Sequence, residues 1–174
     1  MPTGRTHAAI TAIAAGGLYY LSTQAGYSRE VTLALAGGCM AGVLITPDLD
    51  VDHPVRSHYV VKRKLGSLAA AVWWLAWYPY GRAINHRSWL SHAPVIGTAL
   101  RLAYMGLIAW LLLMVTNQTT RLADIDTTLF IWFALGLTVS DILHWIADIS
   151  FTRIKTIVRK RANGQRAKSL FYIL

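Results

Sequence analysis

The sequence holds one cysteine, Cys39, set in an apolar run. A disulfide framework and a thiolate metal site are both excluded, so any metal must be held by histidine and carboxylate. Acid is scarce too: 8 Asp and Glu stand against 17 Lys and Arg, a formal charge of +9. The basic excess is clustered, and in an apolar chain such clusters mark cytoplasmic loops and anionic lipid headgroups. No nucleic-acid partner is expected. Internal repeats and low-complexity linkers are absent, and no small-residue cleavage site closes the apolar run from Ala8, so no signal peptide is expected.

What is plentiful is apolar side chain. Hydrophobic residues make up 55% of the chain, above the roughly 45–50% of a soluble protein. Thr6 can cap a helix that starts at His7 and reaches about Gln24, with Gly16 and Gly17 allowing close packing. A second apolar run covers 31–46, carries Gly37, Gly38 and Gly42, and stops at Pro47. Residues 47–54 form an acidic surface loop, since Pro54 disfavours helix at the residue before it. A basic loop, 56–64, follows. The Trp-rich segment 65–80 falls short of the ~20 residues that a spanning helix needs, which makes it interfacial or re-entrant. Residues 93–115 and 127–150 complete the set. The expected fold is therefore an all-α polytopic membrane bundle of about four spanning helices and one re-entrant or interfacial Trp-rich helix. A basic amphipathic tail, 153–174, follows the membrane-embedded domain 1–152 and suits an anionic lipid face.

Charge gives the orientation. If 65–80 does not cross, four spans leave Arg5, Arg56, Lys62, Arg63, Lys64, Arg82, Arg87, Arg101 and the basic tail on one side, with Arg29 and Arg121 on the other. The positive-inside rule makes the first side cytoplasmic, with both termini there, in an inner or plasma membrane.

The same topology gathers the candidate metal ligands. His86 and His92 lie in the polar break 85–92, and His7, Asp48, Asp50, His144 and Asp148 sit at other breaks or helix ends on the same face. His144 and Asp148 are four apart and Asp141 is three before His144, so all three share a helix stripe. Ionisable groups on such a stripe are costly in lipid and usually functional. Asp48 and Asp50 can face one way only if the backbone between them is extended. Imidazole with carboxylate suits zinc, iron or manganese, and a set of this size has room for two or three ions. Each residue also has a plainer reading. His7 can be a helix-start residue, Asp48 and Asp50 a solvated turn, Arg87 and Arg101 headgroup contacts, the tryptophans an interfacial belt, and His53 and His58 loop residues.

Taken in order, Thr6-His7, Pro47-Asp48-Leu49-Asp50, His86-Arg87 through Ser91-His92, and His144-Trp145-Ile146-Ala147-Asp148 resemble the motif blocks of the YdjM-like predicted membrane-bound metal-dependent hydrolases. The stretch Trp77 to Tyr104 is similar to a related family of uncharacterised predicted metal-binding proteins. Asp50-Val51-Asp52-His53-Pro54 fits the acidic block as well as Asp48 and Asp50 do, and Ser88 replaces the usual glycine after His-Arg. The distant similarity of these families to zinc-dependent phospholipase C and the fungal single-strand nucleases implies phosphoester hydrolysis, and a site at the cytoplasmic headgroup level favours a phospholipid or lipid-linked phosphate as substrate. On that implication His7, Asp48, Asp50, His86, His92, His144 and Asp148 bind divalent metal. Asp50 or Asp141 orients water or a ligand histidine, and Arg87 and Arg101 grip phosphate. The Pro-Ser-Gly-His and Ser-Arg-x-His elements of metal-free lipid phosphatases are missing. The competing class is a non-catalytic membrane subunit with a structural metal, or a His/Asp cluster tying helices together, that binds a protein partner.

Overall fold

The computed structural model describes residues 3–51, 53–84 and 93–171, with side chains through residue 159, and every regular element among them is helical. Helix α1 (Gly4–Gln24) is capped by Thr3, whose side chain accepts from the Thr6 N–H. The cap therefore precedes the expected Thr6 by three residues, and His7 lies inside the helix. Helix α2 (Arg29–Ala41) starts at Ser28, which accepts from the Val31 N–H, with Glu30 favourably placed in the first turn. It ends at Ala41 and does not continue to Thr46. Pro47 disfavours helix at Thr46, and Thr46 instead caps a 3-10 turn, Pro47–Asp50, by accepting from the Asp48 N–H.

The next stretch departs most from expectation. Residues 56–64 are helical, the start of helix α3 (Arg56–Ala83), and the chain breaks at Gly66 with φ 90° and ψ 175°. That φ favours glycine, because a Cβ clashes there. The break separates a basic leg, 56–65, from a Trp-rich leg, 67–83. Trp73 donates from Nε1 to Ser57 Oγ at 3.3 Å, whereas sixteen residues of straight helix would separate them by ~24 Å. The two legs therefore fold back on each other. A Cβ on Gly81 would lie 3.0 Å from the Val51 carbonyl oxygen, so the chain returns to where it left. Trp77 and Tyr80 are buried and pack with Tyr104, ring centroids 5.3–5.6 Å apart, so Trp77 belongs to the core and not to an exposed belt.

Helix α4 (Pro94–Val115) leads through a 3-10 segment, Thr119–Asp124, to helix α5 (Thr127–Phe171), which passes residue 153 without a break. Asp126 caps α5, accepting from the Thr128 and Leu129 N–H groups. Among the described residues two stretches are long and apolar enough to cross a membrane, Pro94–Val115 and Thr127–Arg159, against the four expected. Helix α1 has the length at 21 residues, but α2 has only 13.

Helices α2 and α5 cross at backbone contact. A Cβ on Gly38 would fall 2.0 Å from the Phe133 carbonyl oxygen, and one on Gly136 would fall 1.9 Å from that of Leu35. A Cβ on Gly42 would instead fall 2.0 Å from the Ser140 side-chain Oγ. By contrast, Gly16, Gly17 and Gly37 face open space, so the close packing expected of all three is not there. Beside an apolar cluster of Ile45, Leu49, Trp77, Tyr80 and Leu137, the interior holds an unusual share of polar groups while many large apolar side chains face outward. Thr11, Ser22, Thr32, Thr98, Arg101, Ser140, Asp141 and His144 are buried, while Ile13, Leu21, Leu33, Leu112, Val115, Ile131 and Ile146 are exposed. The interior is stitched by polar contacts, such as Thr11 Oγ1 with Ser140 Oγ at 3.2 Å.

Candidate metal centre

Three elements bring polar side chains to the N-terminal end of α1. That helix supplies His7, the 3-10 turn supplies Asp48, and α5 supplies His144 and Asp148 on consecutive turns of one face. The imidazoles of His7 and His144 stack with centroids 3.8 Å apart and planes 11° from parallel. Asp148 sits across both. Its Oδ1 lies 3.2 Å from His7 Nε2 and its Oδ2 lies 3.6 Å from His144 Nε2. Asp48 Oδ1 also lies 3.6 Å from His144 Nε2. One ligand atom from each of His7, His144 and Asp148 falls within 4.8 Å of the others.

These separations suit ligands of a common cation. Bonds of about 2.0–2.1 Å in a tetrahedral shell place neighbouring donor atoms roughly 3.4 Å apart. His144 Nε2 is buried and makes no hydrogen bond, and neither does the buried His7 Nδ1. Two carboxylate oxygens stand 3.6 Å from the His144 nitrogen, beyond hydrogen-bond length, and a cation bound among the three would satisfy them all. The two oxygens of Asp148 face different histidines, an arrangement open to a bridging carboxylate. The residues present therefore fit a divalent metal.

Other expected site residues lie elsewhere. Asp50 is two positions beyond Asp48, and on a 3-10 helix with three residues per turn their side chains diverge by about 240°. Asp48 faces His144, whereas Asp50 is 1% exposed and turned into the core. The extended backbone needed to align them is not adopted. Arg101 is wholly buried and pairs with Asp141, whose Oδ2 also accepts from Thr98 Oγ1. Arg101 and Asp141 thus lie together between α4 and α5, and not at the solvent-facing end of the cluster. His86, Arg87 and His92 lie outside the described residues. His53 is exposed. His58 is buried as the third residue of α3, accepts through Nδ1 from the Val55 N–H at 3.3 Å, and has its pKa pushed down by burial.

Two arginines beside the cluster escaped the sequence reading. Arg5 and Arg56 line an open cleft of about 580 Å³ together with Asp48. The only hint was position, Arg5 two residues before His7 and Arg56 two after Pro54.

An all-helical chain with buried polar groups and a convergent His/Asp cluster is of a metal-binding class. More particularly, the chain belongs to the family described as "Uncharacterized metal-binding protein (DUF2227)", which it matches over residues 2–158. No curated protein and no solved structure matches it.

Proposed function

We propose that this protein is an integral membrane, metal-dependent hydrolase of phosphoesters, with its site at the cytoplasmic headgroup level of an inner or plasma membrane. The observation that carries the metal reading is the meeting of His7, His144 and Asp148 within 4.8 Å, with Asp48 alongside. The membrane reading is supported by the pattern of burial. Large apolar side chains face outward over α1, α4 and α5, whereas hydroxyls, Arg101 and Asp141 point inward. Basic residues at the site end, among them Arg5, Arg56, Lys62, Arg63 and Lys64, favour an anionic lipid surface and the cytoplasmic side for both termini.

In this reading His7, His144, Asp148 and Asp48 hold one ion or a bridged pair, and His86 and His92 complete the shell. Zinc suits the donors, with iron and manganese as alternatives. A bound divalent ion lowers the pKa of its water to about 7 and stabilises charge on phosphoryl oxygens. Asp148, shared between the two imidazoles, orients both rings. Arg87 acts on the phosphate. The YdjM-like hydrolases remain the model for the chemistry.

The buried Arg101–Asp141 pair and the Thr11–Ser140 contact favour a second reading, in which the His/Asp cluster is another helix tie or holds a structural metal in a subunit that docks a protein partner. Metal content of the purified protein and hydrolysis of chromogenic phosphomonoesters and phosphodiesters, measured together on wild type and His144→Ala, separate the two. The hydrolase reading expects stoichiometric metal and activity in wild type, both lost in the variant. Bound metal without activity on any phosphoester leaves the structural role, and absence of transition metal removes the metal reading altogether.

A further inference from the structure

The cleft beside Asp48 does not end at the arginines. Its walls include His53, Pro54 and Tyr59, and the same three residues form one side of a second groove of about 560 Å³. That groove lies in the angle between the legs of α3, floored on the Trp-rich leg by Ala70, Ala71 and Trp74. Positions 67, 70, 71 and 74 fall on one helix stripe and are small up to Trp74. A trough results, and it exists because Gly66 folds the legs together. Both volumes lie within the roughly 300–1,000 Å³ usual for small-molecule sites. The first compartment is cationic, with Arg5 exposed and the buried Arg56 Nε making no hydrogen bond. The second is mainly apolar. Asp48 and Arg56 also line the small cavity that touches His7 and His144, so the cationic compartment is contiguous with the metal cluster.

We propose that cleft and groove form one bipartite site for an amphiphile, its phosphate head between Arg5 and Arg56 and its alkyl tail along Ala70, Ala71 and Trp74. As a substrate site this rests on the hydrolase reading, and it narrows the substrate to a phosphate carrying a hydrocarbon chain. Guanidinium groups match phosphate oxygens in charge and geometry. The tail compartment supplies discrimination that a purely ionic cleft lacks, because affinity there grows with buried apolar area.

The test is calorimetric titration of the full chain in phosphatidylcholine nanodiscs with inorganic phosphate and with dodecyl phosphate, before and after EDTA. In wild type, dodecyl phosphate should bind at least about ten-fold more tightly than inorganic phosphate. Arg56→Gln and Arg5→Gln should each weaken both probes by roughly ten-fold. Ala71→Trp, at an exposed position, should weaken dodecyl phosphate alone. Equal affinity for the two probes overturns the bipartite site, as does dodecyl phosphate binding that neither Ala71→Trp nor Arg56→Gln changes, since that is partition into the bilayer. Metal content is measured on the same samples. If wild type carries no metal while the probes keep these dependences, the hydrolase reading falls and the amphiphile site stands.

Discussion

The Arg101–Asp141 pair allows a quantitative test of how the bundle holds its interior charge. Both side chains are essentially sealed from solvent, at 0% and 1% exposure. Replacing Arg101 with Met leaves a carboxylate buried without its countercharge, and breaking such a pair from one side typically costs about 3–5 kcal/mol. Thr98 softens this only slightly, because one hydroxyl cannot neutralise a carboxylate. Replacing both partners, Arg101→Met with Asp141→Leu, removes the uncompensated charge, and apolar replacement of a buried pair is often neutral or stabilising by roughly 1–4 kcal/mol. Thr98 Oγ1 keeps its second acceptor, the Pro94 carbonyl, so the double variant leaves no orphaned hydroxyl there. For a chain of this size a loss of about 3–5 kcal/mol corresponds to a Tm fall of at least roughly 6 °C. Thermal unfolding in one detergent, followed by circular dichroism for wild type, both singles and the double, completes a double-mutant cycle. The double should melt above the Arg101→Met single. A double that melts lower by the sum of the two singles would show that the residues do not interact, and the argument would fail.

Three further outcomes follow. Gly136→Ala and Gly38→Ala should destabilise by more than about 1–3 kcal/mol, because each added Cβ meets backbone at 2.0 Å or less, whereas Gly37→Ala, facing open space, should be neutral or stabilising by up to about 1 kcal/mol; melting curves decide. Chelation should lower the Tm of wild type and leave Asp148→Asn unmoved, since only a chain that binds metal when folded is stabilised by it. The third concerns His58. Its pKa is lowered by burial, so the folded state binds fewer protons than the unfolded state once the pH falls below the ordinary histidine value. Stability linked to His58 is therefore complete above about pH 6.5 and declines on acidification. His58→Gln should flatten the acid side of the Tm–pH curve, and an unchanged slope would show that the group is not the one responsible.

Helix identity was legible in the sequence where hydrophobic period and caps agreed. The run that became α4 was readable almost to the residue, and so was the start of α5, because long apolar stretches next to polar turns have few alternatives; the end of α5 was not, since the helix passes the expected boundary at 150 and continues to Phe171. The pairing of His144 with Asp148 was legible for a similar reason: helical spacing alone puts them on one face. The backbone of short segments was not. Asp48 and Asp50 were expected to act together from an extended loop, but Thr46 and Pro47 nucleate a 3-10 turn that sends them to opposite environments. The basic stretch 56–64 read as loop because its charges hid a helix whose buried face is small, Ser57, His58 and Val61. Arg101 read as a phosphate contact because nothing local shows that Asp141, forty residues away, would meet it.

The fold-back at Gly66 ties these threads together. Were residues 56–83 one straight helix, they would extend about 42 Å and carry the chain far from the acidic turn. With the reversal, Gly81 stands against Val51, beside the turn that supplies Asp48. The reversal thus does two things at once: it packs the Trp-rich leg against the turn that holds Asp48 toward His144, and it opens the apolar groove between its own legs. Metal ligation and hydrocarbon binding are then coupled through one glycine. Gly66→Val forces a β-branched residue to φ 90°, a conformation it adopts only with strain. It should therefore lower metal content and dodecyl phosphate affinity together, whereas Ala71→Trp should lower only the latter. Loss of one property without the other in Gly66→Val would show that the hairpin does not organise both.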